Sequence, residues 1–422
     1  MPALPRPVVL LEDGAGRSGR ARLAWGPGRR FRLDWSRADT GRLAWLGTLP
    51  RDTRVYGTLA YDLGLPPKAR RAEPLVAQPL ADLFEPAGEV VVDLERDVVA
   101  EGELPGLGGW AVGRVGGWEN GPAMLPPYRL TALPPEFLGR SFDQPAFESA
   151  VMTIKEHIAA GDVYQVNLAV AERFAVAESP WEVYLRLRRI NPSPWMGFMD
   201  FGDWQLVSGS PELLVELSSG ENDPRPPNRP TAQPSVRTRP IAGTRKKTGD
   251  AAVDAAMRAE LALDEKEQAE HRMLLDLARN DLGRVCEYGT VCVSEREVIE
   301  EYSHVFHLVS EVVGRVRLGC EPWEVIGALF PGGTITGAPK IRAMELIADL
   351  EPVARGAYTG GLGWIGPGAA QFNILIRSAV FREGVACVQA GAGIVWDSDP
   401  AREWRESLRK ASAMRLALGF AE

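Results

Sequence analysis

VQAGAGIVWDSDPAREWRESLRKAS, residues 388–412, joins two unlike patterns end to end. From Ala390 to Gly393 no side chain is larger than a methyl, as in a strand lying close to another backbone or to a ligand. Pro400 then suits the first turn of a helix, where its missing N–H is no loss. Glu403, Glu406 and Lys410 follow at spacings of three and four, along one helical stripe. A charged surface face would read the same way. Strands are grouped along the chain rather than alternating regularly with helices, so the class is α+β.

Just upstream, FNILIRSAV (372–380) reads as one strand whose Arg377 interrupts an apolar run, one of three strands expected over about 357–396. An arginine there is expensive unless paired, and a ligand carboxylate is a natural partner. In LFPGGTITGAPKIRAMELI (329–347), Gly332, Gly333 and Gly337 permit a tight turn before a helix opening at Pro339. The pattern imitates a phosphate-binding loop, but Ala338 follows Gly337 and no Ser or Thr follows Lys340, so a nucleotide is rejected. The helix N-terminus still favours an anion such as a carboxylate.

Further upstream, LDEKEQAEHRMLLDLARNDLGRV (263–285) belongs to a helical stretch over about 250–280. Glu267 and Glu270 are i,i+3 neighbours, while Leu274, Leu275, Leu277 and Leu282 take another face. Two helices that each present a glutamate pair make a carboxylate-rich site if they face each other. Mg2+ is a hard cation that suits such a site.

Elsewhere the chain divides into a β-rich region over 1–125, a turn-rich connector over 117–135 and a catalytic region over 141–422. Residues 141–162 carry helical spacing and 164–176 read as a strand. The proline-dense run SGENDPRPPNRPTAQPSVRTRP (219–240) reads as a flexible surface insertion, 219–237 at its narrowest. Strands over about 284–299 and 303–316 and a helix from Pro322 follow.

The chain has 422 residues, 48 Lys plus Arg against 56 Asp plus Glu, and a net charge of −8. At roughly 100–200 residues per domain that allows two or three domains, or one interlocked core. No run approaches the roughly 20 apolar residues of a membrane span, and the start lacks a secretory pattern, so a cytoplasmic enzyme is expected. A net-acidic chain is a poor default partner for nucleic acid. Cys286, Cys292, Cys320 and Cys387 have no CxxC spacing and read as buried strand residues in a reducing compartment. With four histidines, any metal must be held by oxygen.

These stretches together resemble one family, the chorismate-utilising enzymes, in particular the large component of anthranilate synthase and of aminodeoxychorismate synthase. The strings that carry the resemblance are AGDVYQVNL (160–168), NPSPWM (191–196), SGSPELL (208–214), RPIAGT (239–244), DEKEQAEH (264–271) and YSHVFHLVS (302–310). DLARNDLGRV (276–285), GGTITGAPKIRAMELI (332–347), RGAYTGGLGW (355–364), QAGAGIVWDS (389–398) and the closing E-x-x-E-x-x-x-K (403–410) continue it. The fold this implies is a large two-layered antiparallel β-sandwich core flanked by helices.

The resemblance implies that Glu270 and Glu406, assisted by Glu267 and Glu403, bind Mg2+ and through it the ring carboxylate of chorismate. It implies that Tyr358, Arg377, Lys410 and the backbone at Gly391 and Gly393 hold the carboxylates, and that Thr334 and His307 flank the ring. Glu212 would be the general acid that helps a hydroxyl leave. The family's large component uses ammonia released from glutamine by a separate amidotransferase subunit. None of the four cysteines here sits in a glycine-flanked nucleophile turn, so that subunit is expected as a partner.

The product turns on position 242. The aminodeoxychorismate branch carries a lysine there that attacks C2; RPIAGT places Ala242, which favours direct attack of ammonia and formation of anthranilate. YQVNL, GGTITGAPK and FNILIR resemble the aminodeoxychorismate branch instead, which keeps that product as the alternative. A catalytically idle scaffold for the glutaminase is the further alternative, against which the retained glutamates, Arg377 and Lys410 count. Gln371 stands where both branches carry an aspartate. The tryptophan-feedback string of the anthranilate branch, LLES, here reads LLED, and Asp13 counts against tryptophan inhibition.

Overall fold

The computed structural model describes residues 6–13, 20–26, 28–33, 46–65, 74, 79, 81–93, 98–101, 134–219, 233–302 and 304–420. The strands begin with β1 (Val8–Asp13), β2 (Arg20–Trp25), β3 (Arg30–Leu33), β4 (Val55–Leu59), β5 (Ala81–Phe84), β6 (Gly88–Asp93) and β7 (Val98–Glu101). Then come β8 (Glu136–Arg140), α1 (Gln144–Ala159), β9 (Gln165–Ala175), α2 (Pro180–Ile190), β10 (Trp195–Asp200), β11 (Gln205–Ser210) and β12 (Leu213–Ser218). The middle holds β13 (Ser235–Arg239), β14 (Ile241–Lys246), α3 (Ala251–Leu263), α4 (Glu265–Gly283), β15 (Cys292–Glu301), β16 (Val305–Arg315) and α5 (Pro322–Leu329). Last are β17 (Gly337–Ala338), α6 (Lys340–Leu350), β18 (Gly361–Gly366), β19 (Ala369–Ile374), β20 (Ser378–Arg382), β21 (Val385–Ile394) and α7 (Pro400–Leu418).

Among the described residues these strands form two antiparallel sheets. The first runs β17-β9-β21-β20-β11-β10-β1-β2-β6-β7, with β8 on β9; the second runs β14-β16-β13-β12-β19-β18-β4-β5-β3, with β15 on β16. The N-terminal strands extend both sheets: β1 pairs with β10, and β4 with β18. The described strands within 1–125 therefore belong to the same two sheets as the rest of the chain.

Strand periodicity explains how the layers stack. Along β1, Val9 and Leu11 pack with Tyr56, Phe84 and Leu362 of the second sheet. Leu10 points the other way, to Tyr184 and Leu187 of α2 and to Ala411 and Met414 of α7. Both faces of the first sheet are thus covered. Burying each such aliphatic side chain stabilises the fold by roughly 1.5–3 kcal/mol. A buried ion pair fixes α7 on the sheet: Arg415 donates to Glu172 of β9 at 2.7 and 2.6 Å, and Arg140 of β8 donates to the same carboxylate at 2.5 Å.

Several local expectations are corrected. FNILIRSAV is two strands: β19 belongs to the second sheet and β20 to the first, so the chain crosses layers at 375–377. Arg377 sits at the crossover with φ 55°, a left-handed conformation that ends the strand. Four strands, not three, therefore fill 357–396. The single helix over 250–280 is broken at Asp264, whose carboxylate caps α4 by accepting from Lys266 and Glu267 N–H at 3.0 and 3.1 Å. The proline-dense insertion ends sooner than expected, because Ser235–Arg239 is a strand. Its arginines make pairs across the sheet, Arg237 with Glu216 and Arg239 with Glu295, Glu300 and Glu311. Residues 220–232 and most of the connector over 117–135 lie outside the described residues. Of the cysteines, Cys286 and Cys387 are buried, but Cys320 is half-buried in a turn and Cys292 is exposed at the start of β15.

Candidate active site

Strand β21 is the floor on which the sequence-derived residues gather. A Cβ on Gly391 would meet the Leu168 carbonyl at 2.5 Å and Asn167 Oδ1 at 2.8 Å, so close packing against β9 already demands glycine there. A Cβ on Gly393 would meet Gln165 Nε2 at 2.5 Å and lie 3.6 Å from Glu270 Oε1. Lys410, from α7, donates to the Gly391 carbonyl at 3.1 Å and pairs with Glu406 Oε1 at 3.1 Å. The glutamate of α4 and the lysine of α7 thus converge on positions two residues apart in one strand.

Electrostatics tie the four glutamates to this point. Burial pushes Glu270 above the ordinary carboxylate range; the Gln165 amide and the Lys410 ammonium pull it back, while Glu267 adds to the rise. Burial likewise pushes Glu403 up, with Glu406 adding to it and the Ser398 hydroxyl and Lys410 opposing. Burial acts on Glu406 too, but the adjacent Lys410 outweighs it and holds that carboxyl below its usual value. Glu267 pairs with Arg245 of β14 at 3.3 Å. No three acidic, histidine or cysteine side chains among the described residues are close enough to form a ready-made metal cage. The donors present are nevertheless the hard oxygens that Mg2+ takes, and two of them, half-buried Glu270 and buried Glu403, each lie beside a second carboxylate with the Lys410 ammonium to offset the charge.

Arg377 donates to the Lys410 backbone carbonyl at 2.7 Å and has no carboxylate within ion-pair distance among the described residues. Burial lowers its pKa, and the neighbouring Tyr358 and Glu406 oppose that drop. Tyr358 is pushed up to about 12 by burial. His307, on β16, has Nδ1 3.2 Å from the Gly243 carbonyl and 3.0 Å from Thr244 Oγ1. A carbonyl only accepts, so Nδ1 carries the proton and Nε2 keeps its lone pair. Burial, helped by the Arg377 and Lys410 charges and opposed by the Gly243 carbonyl and Glu300, drops the His307 pKa to about 4, so the ring is neutral.

Glu212 follows β11 and is 4% exposed. Burial raises its pKa to about 7, against the pull of the Thr334 hydroxyl and the Ile241 N–H. Thr334 sits in a one-turn 3-10 helix, Gly333–Ile335, and its Oγ1 is near the Glu212 carboxyl without making a well-formed hydrogen bond. Arg355 holds that turn in place by donating to the Ile335 carbonyl at 2.8 Å and to the Asn167 carbonyl at 2.7 Å. Ala242 is buried on β14 opposite Leu308, next to Gly243.

Two residues escaped sequence reasoning. Gln165 donates to Glu270 Oε1 at 2.6 Å, and its signal was a polar Gln165/Asn167 alternation on an otherwise apolar strand. Gly243 has φ +66°, and a Cβ there would meet Leu261 at 2.9 Å and Glu267 Oε2 at 3.2 Å. Nothing local in IAGTR marks that approach.

A family model described as chorismate binding enzyme matches residues 7–416. This chain is a chorismate-binding enzyme by family. It is 46% identical over 302 residues to a Bacillus subtilis protein named aminodeoxychorismate synthase component 1, covering 71% of this chain and 61% of that one. It is also 45% identical over 283 residues to the Aquifex aeolicus anthranilate synthase component 1, covering 67% of this chain and 54% of that one. This chorismate-binding chain therefore spans less than two thirds of the length of these relatives. The crystal structure of anthranilate synthase component I from Streptococcus pneumoniae is similar with a TM-score of 0.76 and 29% identity, covering 94% of this chain and 92% of that one. A 2,3-dihydroxybenzoate-specific isochorismate synthase from Bacillus anthracis, at TM-score 0.71 and 21% identity, shares the fold. No described helix is long and apolar enough to cross a membrane.

Proposed function

We propose that this protein is the synthase component of a chorismate-aminating enzyme that converts chorismate to anthranilate and pyruvate, using ammonia from a glutamine amidotransferase subunit. Ala242 carries the choice of product. A methyl group on β14, beside the His307–Gly243 contact, offers no amine to attack C2. Ammonia would then add at C2 directly.

Each remaining residue has a task that its surroundings support. Arg377, with no carboxylate within ion-pair distance among the described residues, and Lys410 supply positive charge for the two carboxylates of a dianionic substrate, with Tyr358 beside them. Glu212 is poised to hold a proton near neutral pH and to give it to the departing C4 hydroxyl. Thr334 and neutral His307 would flank the ring, the latter as a hydrogen-bond acceptor through Nε2. Glu267, Glu270, Glu403 and Glu406 would hold Mg2+, which when bound supplies a hard cation for the ring carboxylate.

The second reading is 4-amino-4-deoxychorismate formation. It is favoured by the 46% identity to a relative named for that reaction. Incubation with chorismate, Mg2+ and ammonium, followed by separation of ortho- from para-substituted products, decides between them.

A further inference from the structure

The candidate metal glutamates belong to two different layers. α7, with Glu403 and Glu406, packs on β21 of the first sheet, while α4, with Glu267 and Glu270, packs on β14 and β16 of the second. The charges of Lys266 and Lys410 act on both Glu270 and Glu403, so the two helices' carboxylates surround a common space. A hydrogen bond reaches from the first sheet to α4: Gln165 Nε2, on β9, donates to Glu270 Oε1 at 2.6 Å. Gly393 leaves room for it, since a Cβ there would meet that Nε2 at 2.5 Å.

Gln165 is fixed where it stands. It is 5% exposed, and β9 is pinned on both edges, Val166 pairing with Ile394 of β21 and Gln165 with Ala338 of β17. On the β17 side, Tyr164 N–H donates to the Ala338 carbonyl at 2.7 Å and Asn167 N–H to the Thr336 carbonyl at 2.8 Å. Gly337, at φ +146°, permits that approach, because a Cβ there would meet the Gln165 carbonyl at 2.1 Å. The Gln165 side chain leaves its own Oε1 buried with no hydrogen-bond partner. Its orientation therefore follows the carboxylate, since the reverse amide would set oxygen against oxygen.

The charge of the donor matters. Glu267 is paired with Arg245 and Glu406 with Lys410, whereas the bond that Glu270 receives comes from a neutral amide. A cationic donor would compete with a metal ion; an amide orients the carboxylate and leaves its charge for the cation. We propose that Gln165 is a positioning residue for the metal site, holding Glu270 of α4 in place from the opposite sheet. The inference rests on the Mg2+ reading of the glutamates and goes beyond it, to a residue that need not touch the metal.

The test reads metal binding without turnover. Tm is followed against Mg2+ concentration, with no chorismate or ammonium present, for three chains. These are the wild type, Gln165→Met, which keeps the length and loses the donor, and Gln165→Asn, which keeps the amide and loses the reach. Both variants are expected to need about ten to a hundred times more Mg2+ for the same rise in Tm, as when a metal ligand loses its hydrogen-bond partner. In the ammonium-dependent assay the Mg2+ needed for half-maximal rate should move by the same factor, with turnover recovered at high Mg2+. If Gln165→Met does not fold, Gln165→Asn carries the comparison. A Mg2+ response equal to that of wild type overturns the proposal, and so does a loss of turnover that Mg2+ does not restore, which makes the glutamine a packing residue. A wild type whose Tm ignores Mg2+ removes the metal reading itself, and this inference with it.

Discussion

The Arg377 guanidinium donates to the backbone carbonyl of Lys410 at 2.7 Å, tying the crossover between the sheets to helix α7. Two cationic side chains are thereby held together; Lys410 is paired with Glu406, while Arg377 has no carboxylate within ion-pair distance among the described residues and its burial opposes its charge. A substrate carboxylate would complete it. Arg377→Ala is expected to raise the chorismate KM by about tenfold to a hundredfold, the loss of one charge-assisted contact of roughly 1.5–3 kcal/mol. Steady-state kinetics with chorismate varied check this; a KM unchanged by the substitution removes Arg377 from substrate binding.

Glu406→Ala should abolish turnover at saturating ammonium and Mg2+. Binding gives an independent readout. Mg2+ is expected to raise the Tm of the wild-type chain and to leave that of Glu270→Gln unmoved. Substantial activity in Glu406→Ala would sink the metal assignment.

Glu212 titrates at about 7 in the folded chain, against 4.5 for an unhindered glutamate, because burial disfavours its charge. As a general acid it must be protonated, so kcat/KM should fall as pH rises through about 7, and Glu212→Gln should lose that limb along with most of its activity. The sign for stability is the same. Below 4.5 the group is neutral in both states; between 4.5 and about 7 the unfolded chain ionises first and the fold loses roughly 3 kcal/mol. Glu212→Gln should therefore raise Tm at pH 8 more than at pH 4, measured by calorimetry. An equal change at both pH values would place the carboxyl in water.

Tryptophan is expected to leave the rate unchanged. Glu12, in the LLED string, accepts from the Tyr184 hydroxyl and from Arg188 Nε at 2.7 Å, and Trp181 stacks on Tyr184 at 5.3 Å. That carboxylate already has its partners and is a poor receptor for an amino group. Inhibition by tryptophan in the ammonium-dependent assay would contradict this.

The residues of the candidate site were legible wherever they lie on helices. A stripe such as Glu403, Glu406 and Lys410 is set by spacing within one element, and α7 presents it as the spacing requires. What the sequence hid is what tertiary pairing decides. FNILIRSAV is locally uniform, and nothing in it reveals that Ile374 and Ser378 belong to different sheets. The strand in SVRTR was obscured by flanking prolines, because its arginines are stabilised by glutamates far away in the chain. Gln371 gains a meaning in the same way. Its amide donates to Glu216 at 3.1 Å and accepts from Trp364 at 3.2 Å, whereas an aspartate beside Glu216 would add a like charge.

The most direct measurement is product analysis after incubating the purified chain with chorismate, Mg2+ and ammonium. Ala242 and the surrounding site predict fluorescent anthranilate, formed without any added lyase. A product that yields p-aminobenzoate only after a lyase is added, or no aminated product at all, would contradict the account.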